Sequence, residues 1–157
     1  GHDAPFAFDL DYRPDAGIGR MRVGTPPILS LSALDAALDV FDDVDMNVLR
    51  EKSVSLCELF IAEVERRCPE LTLASPRDAA VRGSQVSFRF DNGYALVQAL
   101  ISRGVIGDFR APDVARFGFT PLYISHADMI RACEILEEIV KTRAWDRPEF
   151  HARAKVT

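Results

Sequence analysis

The residues that could do chemistry gather in two places. The first is "GVIGDFRAPDVARFGFTPLY", residues 104–123, which sets Arg110 and Arg116 among glycines, β-branched residues and aromatics. A planar guanidinium offers parallel N–H donors that match both oxygens of a carboxylate, and the neighbouring Phe117 and Phe119 lower the local dielectric and strengthen such a pair. The chemistry on offer at Arg116 is therefore carboxylate capture. A solvated edge arginine or a surface ion pair accounts for the same residue, and residue types alone favour that simpler reading. Arg110 lies where a strand ends at "APD", so an ion pair with Asp108 or Asp113 is enough to explain it. Gly107 and Gly118 interrupt strand patterns, which signals a bulge, a packing accommodation, or close approach by a ligand or another backbone.

The second place is "VGTPPIL". Gly24 and Thr25 at a helix N-terminus would present backbone N–H groups, a hydroxyl and the positive end of a helix dipole, together a perch for phosphate. A plain helix cap is the commoner use of such residues.

No reaction machinery accompanies these binding groups. GxSxG, HExxH and P-loop motifs are absent. Cys57, Cys68 and Cys133 form no CxxC, and His2, His126 and His151 lack ligand spacing, so reduced buried cysteines and no metal site are expected. Lys52, Lys141 and Lys155 occupy no strand-end or pocket-like position suited to covalent catalysis. The chain thus carries no catalytic residue of its own. Its 157 residues are 48% hydrophobic and 27% charged, in keeping with one soluble globular domain. A net charge of −5 disfavours nucleic acid as a partner. No apolar run reaches membrane-spanning length and no signal peptide opens the chain, so a cytoplasmic protein without membrane association is expected.

Which elements would position the arginine and the threonine? Thr25 as N-cap and Pro26 at the first helical position start a helix that buries Leu31, Leu34, Leu38 and Phe41. Asp45 caps a second helix, with Met46, Leu49, Leu56, Phe60 and Val64 on one stripe and Pro69 as its stop. "LTLAS" reads as a short strand and "PRDAAVRG" as a polar loop. "SQVSFRF" alternates, with Val86, Phe88 and Phe90 on one side and Gln85, Ser87 and Arg89 on the other. A "DNG" turn leads into a short helix ended by Gly104, then strands "VIGDFR" and "ARFGFTPLY" flank "APD". A last helix opens with a capping box, Ser125 and Asp128, and buries Met129, Cys133, Leu136 and Val140. The tail, "DRPEFHARAKVT", reads as polar and loose. The fold class is α+β, with helices packed on one face of a small, mostly antiparallel sheet. The apolar opening, "GHDAPFAFDLDYRPDAGIGRMRVG", has no helix or strand pattern and needs a partner surface or a larger protein to cover it.

The stretch 104–123 followed by a capped helix resembles the C-terminal signature of the kynureninases, pyridoxal-phosphate enzymes of the aspartate-aminotransferase fold type. "YRPDAGIGRMRVGTPPILSLSALDAALDVF" and "MNVLREKSVSLCELF" follow the family pattern in order and spacing, and the opening Gly-His resembles the end of its Trp-Trp-Gly-His-type segment. The resemblance runs from Gly1 to about Val140. It implies the C-terminal part of the enzyme: residues 1–43 as the end of the large domain and a linking helix, 44–143 as the small domain, and 144–157 as a tail. It implies hydrolysis of L-kynurenine, or its 3-hydroxy form, to anthranilate (or 3-hydroxyanthranilate) and L-alanine, with pyridoxal 5'-phosphate as cofactor. By the same resemblance Arg116 grips the substrate α-carboxylate, and Gly24 and Thr25 contribute to the cofactor phosphate site across a homodimer interface. The cofactor lysine and ring-binding groups would lie upstream, in the N-terminal part of the enzyme, leaving this part inactive alone. The alternatives are a free-standing binding module with this fold, or another pyridoxal-phosphate lyase or desulfurase.

Overall fold

The computed structural model describes residues 1–152. The chain divides into two compact units, Gly1–Val44 and Asp45–Thr157.

In the first unit a 3-10 turn over Gly17–Met21 precedes helix α1, Ile28–Leu38, and a second 3-10 turn follows at Asp39–Phe41. The expected start of α1 is corrected. Thr25 is not its N-cap and Pro26 is not its first residue; Pro27 stands at the N-cap, without a side-chain capping bond. Consecutive prolines explain the shift, because a residue before proline is pushed out of the helical region. Pro26, preceding Pro27, cannot begin the helix. The expected burial of Leu31, Leu34, Leu38 and Phe41 is also corrected: no residue of α1 is buried, and Leu29 is 88% exposed. The helix is apolar around most of its circumference, a pattern typical of helices enclosed within a larger protein.

The second unit opens with α2, Met46–Arg67, capped by Asp45, whose carboxylate accepts from the Asn47 N–H at 2.7 Å. Strand β1, Thr72–Leu73, and a 3-10 turn at Ala79–Val81 lead to β2, Gln85–Arg89. Helix α3, Gly93–Ile101, is followed by a turn that closes at Gly104, whose φ of +83° is open to glycine at little cost. Strands β3, Asp108–Arg110, and β4, Val114–Gly118, form a hairpin; α4, His126–Lys141, and the short α5, Pro148–His151, complete the unit.

The four strands lie in the order β1-β2-β4-β3, and every pairing is antiparallel. One sheet face carries Val86, Phe88, Ala115 and Phe117, all buried against the helices. Phe60 of α2 sits at the centre of this core, with ring centroids 5.0 Å from both Phe117 and Phe119 and 6.1 Å from Phe88. The other face carries Gln85, Ser87 and Arg89 of β2 beside Arg116 of β4. The α+β class and the alternation expected for β2 are both present.

Helices α2 and α4 are clasped at one end by Arg67, which donates to Glu63 and Glu137 at 2.6 Å each. The Ser125–Asp128 capping box is formed, and Met129, Cys133, Leu136 and Val140 are buried as expected, with Ile139. Two readings change. Residues 144–152 are no loose tail: Trp145 belongs to the core, packing edge-on against Phe90 at 5.5 Å, and α5 packs on α3. Residues 153–157, with Lys155, lie outside the described ones. The loop "PRDAAVRG" is polar but anchored, for Arg82 is buried and donates to the carbonyls of Pro76 and Arg77 at 2.8 and 2.9 Å and to Glu58.

Candidate functional site

Arg116 stands in the middle of β4, on the sheet face away from the core, opposite Ser87 on one neighbouring strand and Asp108 on the other. Strand alternation puts it there: Ala115 and Phe117 take the core side, so Arg116 must take the other. Its side chain is 28% exposed. Nε donates to Asp108 Oδ1 at 2.7 Å and Nη2 to Oδ2 at 2.8 Å, a two-bond fork along one edge of the guanidinium. These bonds hold the Asp108 carboxyl below the usual carboxylate range and raise the Arg116 guanidinium further. No hydrogen bond is made by Arg116 Nη1 among the described residues.

Arg110 lies beside the same carboxylate, Nη2 to Asp108 Oδ2 at 3.4 Å. Of the two partners expected for it, Asp108 is the one it meets; Asp113 pairs with Arg89 at 2.7 Å. The link between Asp108 and Arg116 was not foreseen, although the sequence held the signal. A hairpin whose strands flank the three residues "APD" places 110 opposite 114, and hence 108 opposite 116, as observed. Gly107 also has a use: a Cβ there would sit 3.1 Å from the Arg116 carbonyl oxygen, a tight contact that glycine avoids where the two backbones close up. At Gly118 a Cβ would meet nothing within 4 Å, leaving open space at the end of β4.

Gly24 and Thr25 lie in the first unit, on the rim of a concavity also lined by His2, Tyr12 and Arg22. His2 is fixed there by the Ala4 N–H at 2.9 Å and the Asp11 carbonyl at 3.0 Å. Neither the Thr25 hydroxyl nor the backbone N–H groups of Gly24 and Thr25 have a hydrogen-bond partner among the described residues. The helix dipole expected to support them is displaced, since α1 begins at Ile28, two residues beyond the expected Pro26. What remains is a hydroxyl, two free N–H donors and a nearby arginine, a donor set that suits a phosphate group. Arg116 and Thr25 thus belong to separate units.

The three cysteines are free and buried. Burial pushes the Cys133 thiol up to about 12 and Cys68 up to about 11, so neither supplies a thiolate nucleophile near neutral pH. His126, at the first turn of α4, meets Ser55 of α2 at 2.8 Å, a helix-to-helix contact. Lys141 is engaged by Glu137. The described residues assemble anion-binding groups, and the Ser55–His126 contact lies exposed between two helices with no third group hydrogen-bonded to the imidazole among them. No described helix is long and apolar enough to cross a membrane.

Residues 49–136 match the family model described as "Kynureninase C-terminal domain". The whole chain is also similar to curated proteins named Kynureninase. It is 50% identical to those of Burkholderia mallei (strain SAVP1), Burkholderia pseudomallei (strain K96243) and Pseudomonas fluorescens, each over 159 aligned residues. In each case all of this chain is covered, but only 38% of the relative. The family match spans most of α2, the sheet and most of α4, including the hairpin that carries Arg116. The chain belongs to the kynureninase C-terminal domain family.

Proposed function

We propose that this chain is the C-terminal part of a kynureninase. That enzyme hydrolyses L-kynurenine, or its 3-hydroxy form, to anthranilate (or 3-hydroxyanthranilate) and L-alanine in tryptophan breakdown. The observation that carries this reading is the 50% identity to curated kynureninases, which runs over the whole chain. The same observation disfavours a free-standing binding module and a different lyase or desulfurase. On this reading residues 1–43 end the large domain and supply a linking helix, 44–143 form the small domain, and 144–157 close the chain. The N-terminal part of the enzyme covers the exposed apolar side chains of the first unit, and the whole works as a cytoplasmic homodimer.

Within the reaction this chain binds and orients. Arg116 holds the α-carboxylate of the substrate, which fixes the Cα bonds of the amino acid relative to the reacting groups. Positioning of this kind is worth several kcal/mol of barrier in well-ordered sites. Pyridoxal 5'-phosphate, when bound, supplies the electron sink that cleavage next to a carbonyl requires. Its phosphate would accept hydrogen bonds from the Thr25 hydroxyl and from the N–H groups of Gly24 and Thr25, contributed across the dimer interface. The cofactor lysine comes from the N-terminal part, so the present segment alone is inactive.

Incubation of the full-length protein and pyridoxal 5'-phosphate with L-kynurenine tests the reading. Anthranilate and L-alanine should form in equal amounts, with one water consumed per turnover. Cofactor-loaded protein that leaves both L-kynurenine and 3-hydroxykynurenine intact would overturn it.

A further inference from the structure

Asp108 presents a difficulty for a carboxylate clamp. It already fills one edge of the Arg116 fork with a carboxylate from the protein itself. Donor geometry resolves it. A guanidinium carries five N–H groups. Asp108 takes the Nε hydrogen and one hydrogen of Nη2, on one edge of the plane. The remaining Nη2 hydrogen and the Nη1 group form a second, end-on edge, which suits another carboxylate. We propose that Asp108 is a positioning residue for the clamp: it holds Arg116 by the Nε–Nη2 edge and reserves the Nη1–Nη2 edge for the ligand carboxylate. The proposal rests on the assignment of Arg116 as the clamp.

Three further features support it. Asp108 and Arg116 are cross-strand partners in a paired hairpin, so their separation is set by backbone register rather than by a mobile loop. The backbones of β3 and β4 come close one residue before Asp108, where a Cβ on Gly107 would sit 3.1 Å from the Arg116 carbonyl oxygen. Arg110 meets Asp108 at 3.4 Å, which makes a group of two cations and one anion. Its net charge of +1 is balanced by one incoming carboxylate. Were Asp108 a competitor that the ligand must displace, its removal would improve ligand binding. A positioning residue predicts the opposite sign.

The test uses the full-length, cofactor-loaded protein with Asp108→Asn, Asp108→Glu and Arg116→Lys. Two probes are compared: L-kynurenine, through KM and kcat, and kynuramine, the same molecule without its carboxylate, through its inhibition constant. Asp108→Asn should raise KM for kynurenine about tenfold, the worth of a charge-assisted bond in holding the fork. Its kynuramine inhibition constant should stay within about twofold, because no carboxylate is there to be positioned. Asp108→Glu, keeping the charge at a longer reach, should recover part of the loss. A KM lowered or unchanged by Asp108→Asn, while Arg116→Lys raises it, would overturn the positioning role and leave the clamp standing. Equal weakening of both probes would also overturn it, since a general structural defect does not distinguish them. An unchanged KM in Arg116→Lys would remove the clamp itself, and the proposal with it.

Discussion

Arg116 keeps its charge at every accessible pH, so the titrating member of its pair is Asp108. The hydrogen bonds from Arg116 depress the Asp108 pKa in the folded protein. A depressed carboxyl contributes stability that is present above its unfolded value, about 3.9, and is lost as pH falls through the folded value. Asp128 has the same sign, lowered by the Ser125 hydroxyl and backbone N–H, and so do Glu63 and Glu137, lowered by their arginine and lysine partners. The midpoint of thermal unfolding should therefore be flat near neutrality and fall steeply below about pH 4. Asp108→Asn should show a shallower fall than the parent. A parallel decline in the two proteins would show that the pair contributes nothing there. At Arg82 the cost of removal is direct: Arg82→Met leaves two carbonyl oxygens of the 76–83 loop without their donor and uncouples Glu58. A loss of about 1–3 kcal/mol in denaturant unfolding is expected.

At the scale of elements, the capping box on α4 and the aromatic centre of the sheet are the parts to probe. Ser125→Ala removes the hydroxyl that accepts from the Asp128 N–H at 3.2 Å and should cost about 1 kcal/mol. Phe60→Ala empties the space between Phe88, Phe117 and Phe119 and should cost about 3–5 kcal/mol. Urea titrations followed by circular dichroism check both values, and a smaller loss for Phe60→Ala than for Ser125→Ala would contradict the core described here. These elements were legible because their signals are local. Asp45, the Ser125–Asp128 spacing and the period-two pattern of Val86, Phe88 and Phe90 each act within a few residues. The misread parts depend on longer relations. The start of α1 moved because Pro27 constrains Pro26, a backbone effect that capping preferences alone do not express. Trp145 looked like the edge of a polar tail because its partner, Phe90, is distant in sequence. Arg82 looked like loop polarity because its acceptors are main-chain carbonyls, which no side-chain pattern announces. Of the site, Arg116 stood out through its setting, while its partner Asp108 required the hairpin register.

Taken as a whole molecule, the chain divides its apolar surface unequally. Every residue of the hydrophobic core, from Leu56 to Trp145, lies in the second unit. The first unit leaves Phe6, Phe8, Leu10, Ile18 and Leu29 largely exposed. A fragment from residue 45 onward should thus unfold in one cooperative transition, whereas residues 1–44 alone should show none. Thermal scans of the two fragments decide this, and a broad, non-cooperative melt of the larger one would count against the core as described. The chain spans 38% of the length of the curated relatives it matches. In the proposed function, this chain's share is carboxylate recognition. The central claim is that Arg116 supplies this recognition for a kynureninase. The most direct test is anthranilate release from L-kynurenine by the full-length protein, measured for the parent and for Arg116→Lys. The account predicts a parent that turns kynurenine over and a variant, equally stable, whose kcat/KM falls by about tenfold or more through a raised KM. A variant with the parent's KM would contradict it.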